Sequence, residues 1–370
     1  MLLAFSTQIL VTSQAQAQNL TAEEEAGETI EPDLYIAGRI SEATAEFVAL
    51  NRSPGGDSTQ SVWRLTLDED RARLHLMIRP DIDTRGILVK VFDSAHDEPV
   101  VTYSGEAIDP TNGIWTPEIA HGPVVVRVYA DNLRIEPPVY LSEYSVAYLG
   151  GELFSVIGQP DFEPVSSYRQ ERTIWRVSRS IGKVIRLLGK RQISCSGFLI
   201  SKSLFMTNKH CIGSAKECQH SLVVFGYESG ADQYAVEEAR CTALREFNSD
   251  LDFAVIELEN RPGERWNWLQ MSSKAPLPGQ ALFVVQHPAG EMKQVTVRNC
   301  FVGDVGIIGR NPHEATDFSH TCDTKNGSSG SPVADATGIV VGLHHWGVTR
   351  DINENRAVSM SKIVGLIILN

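Results

Sequence analysis

The sequence predicts an all-β fold, and three observations carry the prediction. Four runs, at 62–67, 72–78, 86–92 and 124–129, alternate side chains with period two, as in Val62-Trp63-Arg64-Leu65-Thr66-Leu67. Such alternation puts one face of a strand on a core and the other in water, and the Gly, Pro and Asp breaks between runs mark an antiparallel β-sandwich. Shorter apolar runs at 184–188, 196–200, 222–225, 253–258, 282–285, 294–300 and 338–343 also read as strands. Helical signals are few: one turn at 207–212, and a C-terminal helix over 359–369, whose apolar residues at 360, 363, 364 and 367 suit packing on the strands.

A chain of 370 residues with 42% hydrophobic content has room for two cored domains. Residues 1–18 combine an apolar start, Met1 to Val11, with the small-x-small site Ala15-Gln16-Ala17, and read as a signal peptide. They lack the usual Lys or Arg before the apolar core, so a polar leader is the other reading. Residues 19–33, with Glu23-Glu24-Glu25, form an acidic lead. The β-sandwich-like accessory domain follows at 34–150. A linker with Gly158-Gln159-Pro160 and Glu163-Pro164 spans 151–170, and the second domain is 171–370. A formal charge of −13 argues against a nucleic-acid partner, because phosphate binding draws on clustered Lys and Arg. No stretch approaches the roughly 18 apolar residues of a membrane span.

The chemistry centres on Gly327-Ser328-Ser329-Gly330-Ser331-Pro332, a glycine-bracketed turn that offers the Ser329 hydroxyl as a nucleophile. A serine hydroxyl needs a base within hydrogen-bond reach and a third group to orient that base. His210, at the end of Met206-Thr207-Asn208-Lys209-His210-Cys211, is the candidate base. Asp252, which directly precedes the apolar strand from Phe253, is the candidate orienting acid. The amides of Gly327 and Ser329 are the candidate oxyanion hole, since glycine lets the backbone come close to a ligand.

With these fragments in the order His, Asp, Ser, the chain resembles the trypsin/chymotrypsin family of serine peptidases over about residues 170 to 370. Cys195-Ser196-Gly197-Phe198-Leu199-Ile200 resembles the strand before the family's histidine, and Gly327 to Pro332 its Gly-Asp-Ser-Gly-Gly-Pro. The resemblance implies two small six-stranded barrels with the site between them. The intervals from 210 to 252 and from 252 to 329 leave room for one barrel and then the other. Ser328 stands where animal members carry aspartate, and no Ile-Val-Gly-Gly-like start occurs near 165–185. In motif form the chain is closest to bacterial glutamyl and lysyl endopeptidases. The family bridge implies Cys195–Cys211, leaving Cys218–Cys241 and Cys300–Cys322, all within the second domain. Disulfides fit a secreted or periplasmic protein. No close Cys-x-x-Cys or His cluster has metal-ligand spacing, and neither metal nor cofactor is expected.

Two specificity readings stay open. Asp323 falls where trypsin-like members hold the aspartate that receives Lys or Arg, whereas His345-Trp346-Gly347 resembles the His-Trp-Gly of glutamyl endopeptidases, which hold an acidic side chain. The run Val340 to Gly347 reads as a buried strand reaching the cleft edge, where relatives pair with an extended substrate. The expectation is a serine endopeptidase acting on protein or peptide substrates. A catalytically silent peptide-binding protein on the same fold, recognising partners through the front domain, is the competing reading. An esterase would call for a Gly-x-Ser-x-Gly elbow, and the second residue after Ser329 is Ser331. His287 carries no expected role beyond structure.

Overall fold

A computed structural model describes residues 36–368, apart from 44, 51–60, 120, 132–135, 148–153, 157–158, 189–190, 230–235 and 348–353. The signal-like start at 1–18 and the acidic lead at 19–33 lie outside the described residues. In the front part, alternation translates directly into burial: along Ser61–Leu67 the side chains of 61, 63, 65 and 67 are buried and those between are not. That strand joins Val48–Ala49, Val124–Ala130, Ile87–Phe92 and Val101–Ser104 in one five-stranded antiparallel sheet. Its apolar face, with Trp63, Leu65, Val89 and Val126, packs on Leu74, Leu76 and Leu141 of a second sheet, which makes a sandwich.

The second sheet does not stop at the sandwich. Its strand Ile36–Glu42 pairs with Val139–Ala147 on one side and with Arg191–Leu199 on the other, so ten strands form one continuous sheet. Six of these close on themselves, because Ile181–Leu188 pairs with both Arg191–Leu199 and Ser221–Phe225. The barrel is completed by Leu204–Thr207, Glu237–Asn248 and Phe253–Leu258. A third sheet, which includes Leu282–Gln286, Pro332–Asp335, Val340–Trp346, Asn355–Ser359, Ala315–His320 and Val302–Ile308, curls until a bridge between Ala281 and Phe301 joins the first and last of these six strands as a second barrel.

Barrel strands serve two cores at once, which explains why their sequences read as solid apolar runs. Leu199, Phe205 and Ile256 fill the first barrel. Their neighbours Phe198, Met206 and Val255 turn the other way, onto Phe283, Val285, Val340 and Leu343 of the second barrel. The seam between barrels is thus an apolar core, and it fixes the two halves of the site relative to each other. Three disulfides, Cys195–Cys211, Cys218–Cys241 and Cys300–Cys322, brace the barrels.

Several elements differ from expectation. The C-terminal helix is one α-turn, Met360–Ile363, followed by a 3-10 turn, Val364–Leu366. Met360 and Ile363 anchor in the inter-barrel core, but Gly365 and the β-branched run around it propagate helix poorly, and Leu366 and Ile368 are exposed. The run expected as a strand over 294–300 stops at Thr296, before the left-handed Asn299. Glu237–Asn248 and Ala315–His320 are strands without an apolar signature, the first because it is largely solvated, the second because Thr316, Asp317, Ser319 and His320 are buried polar residues. The helix Arg172–Arg179 also went unread, since among its mostly polar side chains only Val177 and Ser178 are buried.

Sandwich and first barrel are also joined by buried charge. Glu118 meets Arg71 at 2.8 Å and the barrel's Lys183 at 3.3 Å, and it accepts from the Tyr227 hydroxyl at 3.1 Å. Arg73 donates to Glu238 at 2.7 Å. Burial by itself would raise Glu118, but Lys183 and Arg71 outweigh it and hold the carboxyl below its ordinary value. A depressed carboxylate contributes stability that is present above its unfolded value and lost as pH falls through the folded one. Glu118→Gln is therefore expected to destabilise the protein by about 3 kcal/mol at pH 7, as breaking a buried pair does. In thermal melts the gap between the variant and the parent should narrow as pH is lowered below the ordinary carboxylate range.

Candidate active site

Asp252 sits in the turn that feeds Phe253–Leu258, with φ at 45°, a left-handed conformation that costs a non-glycine residue on the order of 1 kcal/mol. Its surroundings hold it there. The carbonyl accepts from Lys209 N at 3.1 Å and from Asn208 Nδ2 at 2.8 Å. Carboxylate Oδ1 accepts from His210 N at 3.0 Å, and Oδ2 accepts from His210 Nδ1 at 2.7 Å and from Arg310 Nε at 2.9 Å. Burial pushes the Asp252 carboxyl up, yet His210, its hydrogen bond, His345 and Arg310 together hold it well below the usual carboxylate range. It is an anion that orients His210 and fixes Nδ1 as the protonated nitrogen.

His210 follows the strand Leu204–Thr207 in a tight turn, where Cys211 N and Ile212 N both donate to Asn208 O at 3.2 Å. The Cys195–Cys211 disulfide ties this turn to the neighbouring strand. Sulfur atoms of Cys195 and Cys211 and a ring nitrogen of His210 lie within 4.8 Å of one another, but bonded sulfurs offer no thiolate to a metal. With Nδ1 on Asp252, Nε2 is the nitrogen left for chemistry. It is buried and has no hydrogen-bond partner among the described residues, so the structure shows no bond from it to Ser329 Oγ. Catalytic hydrogen bonds often tighten only when substrate is bound.

The nucleophile turn is shaped by two glycines in the left-handed region, Gly327 at φ 88° and Gly330 at φ 86°. A Cβ on residue 330 would lie 2.2 Å from Ser196 O and 2.5 Å from Thr207 Oγ1, so the turn packs against the first barrel beside the histidine strand. Ser196 stitches it down: its N donates to Ser329 O at 2.8 Å and its Oγ to Gly327 O at 2.9 Å, while Oγ accepts from His287 N at 2.9 Å. Gly330 N donates to His344 O at 2.9 Å from the second barrel. Ser328, where a charged residue would stand in animal relatives, is buried, and its Oγ accepts from Lys325 N at 3.0 Å. Among the described residues, the amides of Gly327 and Ser329 donate to no backbone carbonyl, which leaves both for an oxyanion.

The residues expected in the specificity pocket separate. Asp323 is 3% exposed, and its Oδ2 accepts from Asp161 N at 2.8 Å, within the span read as a linker. That span is packed along the second barrel: Phe154–Ser155 pairs with Thr324–Lys325, and Glu163–Pro164 with Gln294–Thr296. His345 turns inward toward two carboxylates. Its side chain is fully buried, with Nε2 2.7 Å from Asp317 Oδ2 and Nδ1 3.5 Å from Asp252 Oδ2, so both ring nitrogens face carboxylates. Trp346 and Gly347 remain half-buried at the cleft edge, with Trp346 under the Arg310 guanidinium at 5.3 Å. His287 places Nδ1 on Glu291 O at 2.9 Å and stacks on Tyr227, a structural arrangement. Burial and Lys293 push this histidine well below its ordinary value.

Sequence reasoning missed Arg310, Asp317 and Ser196. Arg310 lies in the turn between Val302–Ile308 and Ala315–His320, with no local pattern to mark it. Asp317 is legible only as a buried acid in a polar strand.

Residues 195–343 match the family model of the trypsin-like peptidase domain. This segment is thus similar to the trypsin-like peptidase domain, the family that the order of His210, Asp252 and Ser329 resembles. The chain is 26% identical over 307 residues to Secreted RxLR effector protein 73 of Plasmopara viticola, covering 75% of each chain. It is 31% identical over 173 residues to the uncharacterized protein y4fB of Sinorhizobium fredii, covering 41% of this chain and 25% of that protein. Among solved structures it is similar to the active form of the Rv3671c protease from M. tuberculosis, with 18% identity and a TM-score of 0.44 over 56% of this chain and 89% of that one. A Glu endopeptidase is similar at 20% identity and a TM-score of 0.43, over 57% and 98% of the two chains.

The contacts around residue 330 make a direct test. Gly330→Ala adds a methyl group against a backbone carbonyl at a φ that L residues avoid, and should lower stability by about 2 kcal/mol or more. Denaturant melts would measure it, and a variant as stable as the parent would show that the turn is not clamped on Ser196.

Proposed function

We propose that the protein is an exported serine endopeptidase that cleaves peptide bonds through an acyl-enzyme. Ser329 Oγ attacks the carbonyl carbon while His210 Nε2 takes its proton, and the carbonyl oxygen becomes an oxyanion facing the amides of Gly327 and Ser329. His210 then delivers the proton to the leaving amine, and a water repeats the cycle to release the acid. Asp252 holds the ring and stabilises the imidazolium formed midway. The observation that carries this reading is the 2.7 Å bond from His210 Nδ1 to Asp252, which leaves Nε2 free beside a clamped serine turn.

Two further features support a peptide substrate and an oxidising compartment. Pairing of Val340–Trp346 with Pro332–Asp335 ends at Leu343, and residues 345 and 346 continue with Asn355–Ser359 as the one paired neighbour among the described residues. The other edge is open to an extended peptide as an added strand. Three disulfides fit export, and the relative from P. viticola is named as secreted.

A fluorophosphonate probe should label the folded chain at Ser329. Ser329→Ala should abolish labelling and lower hydrolysis of a casein-type substrate by a factor on the order of 10^6. Labelling that survives in this variant would remove Ser329 from the mechanism, and an unlabelled, well-folded parent would favour a silent binding protein.

With Asp323 bound to the Asp161 amide, the preference before the scissile bond does not rest on that carboxylate. Asp323→Asn should therefore change kcat/KM by one common factor for peptides that differ only in carrying Lys, Glu or Phe there. A selective loss for Lys would restore Asp323 as the receptor of a basic side chain.

A further inference from the structure

We propose that His345, held by Asp317, is a doubly protonated positioning residue behind Asp252, and that its proton sets the alkaline limit of the relay. This rests on the serine-peptidase reading above. The argument starts from donor arithmetic. A neutral imidazole has one N–H, so a ring with both nitrogens facing carboxylates must turn a lone pair toward one of them. Nε2 is hydrogen-bonded to Asp317 Oδ2 at 2.7 Å, Nδ1 lies 3.5 Å from Asp252 Oδ2 with no hydrogen-bond partner among the described residues, and the His345, Asp317 and Asp252 side chains are at most 1% exposed. Only the imidazolium makes both contacts attractive.

Charge balance agrees. Two buried carboxylates, Asp252 and Asp317, face the cations Arg310 and His345, and in the proposed mechanism His210 starts as the base. A neutral His345 would leave the enclosed group with an excess negative charge, which burial penalises heavily. The other oxygen of Asp317 accepts from Thr316 Oγ1 at 2.9 Å, so this carboxylate is fixed from a second direction. Among the described residues, the remaining titratable groups facing the ring are His344 and His320, which bond to each other at 3.2 Å and are both driven toward the neutral form by burial and by neighbouring histidines, His320 to about 3. They add no competing cation. Burial disfavours the His345 imidazolium, yet Asp252 and Asp317 outweigh it and raise this histidine above its ordinary value.

A raised histidine holds its proton, and its contribution, at low pH and loses both as pH rises through the folded value. The bell of kcat/KM against pH should therefore have an alkaline limb that belongs to His345. Asp317→Asn should move that limb to lower pH, and Asp317→Glu should move it back. His345→Gln should remove the limb and lower kcat about tenfold across the range, as the loss of a cation facing Asp252 would. A merely structural role would lower activity without moving the limb.

Independently of any variant, 15N spectra of the intact full-length chain, with His345 assigned through its backbone, should show both ring nitrogens protonated at pH 7. A neutral ring at pH 7, or a limb unmoved in Asp317→Asn while fluorophosphonate still labels Ser329, overturns the assignment of His345 and leaves the parent mechanism standing. Failure of the parent chain to label would instead remove the mechanism itself, with the ring's protonation still readable by NMR.

Discussion

A buried carboxylate governs the centre of this molecule. Asp252 is 1% exposed, and an anion removed from water costs several kcal/mol unless partners replace its hydration. Those partners come from both barrels: the His210 turn from the first, Arg310 and His345 from the second. The anion can be satisfied only when the barrels meet in one register, so the requirement to pair a charge is also a requirement on domain alignment. The apolar seam, in which Phe198, Met206 and Val255 meet Val285, Val340 and Leu343, supplies the packing that holds this register.

Around that anion the serine turn is built for rigidity. Left-handed glycines at 327 and 330 allow the backbone to press on the first barrel, and Ser196 ties the turn down through its amide and its hydroxyl. Under the proposed mechanism, a turn fixed in this way would need no reorganisation when charge develops on a bound carbonyl oxygen.

The front sandwich is bonded into this framework through a shared sheet and the Glu118 cluster. Downstream of it, the segment around Asp161 runs along the second barrel and takes up the Asp323 carboxylate. The accessory part therefore reaches the serine-turn wall through backbone hydrogen bonds rather than through an open tether. The surroundings of Asp323 are thus decided partly by chain that precedes the barrels.

The all-β class and the sandwich strands could be read from the sequence, and so could the candidates His210, Asp252 and Ser329, because period-two burial and short motifs are local properties. His210 and Asp252 prove to be bonded, and the Ser329 turn lies against the same strand end. Local reading failed where burial is polar or borrowed from elsewhere: the Ala315–His320 strand, the shortened C-terminal helix, the packed linker. It also could not show the surroundings of His345, since a His-Trp-Gly string carries no information about which carboxylates will face the ring. Only the tertiary structure decided that Asp317, Arg310 and His345 converge on Asp252 and that Asp161 caps Asp323. These pairs are far apart in the chain, and the electrostatics that select them exist only once the barrels have excluded water.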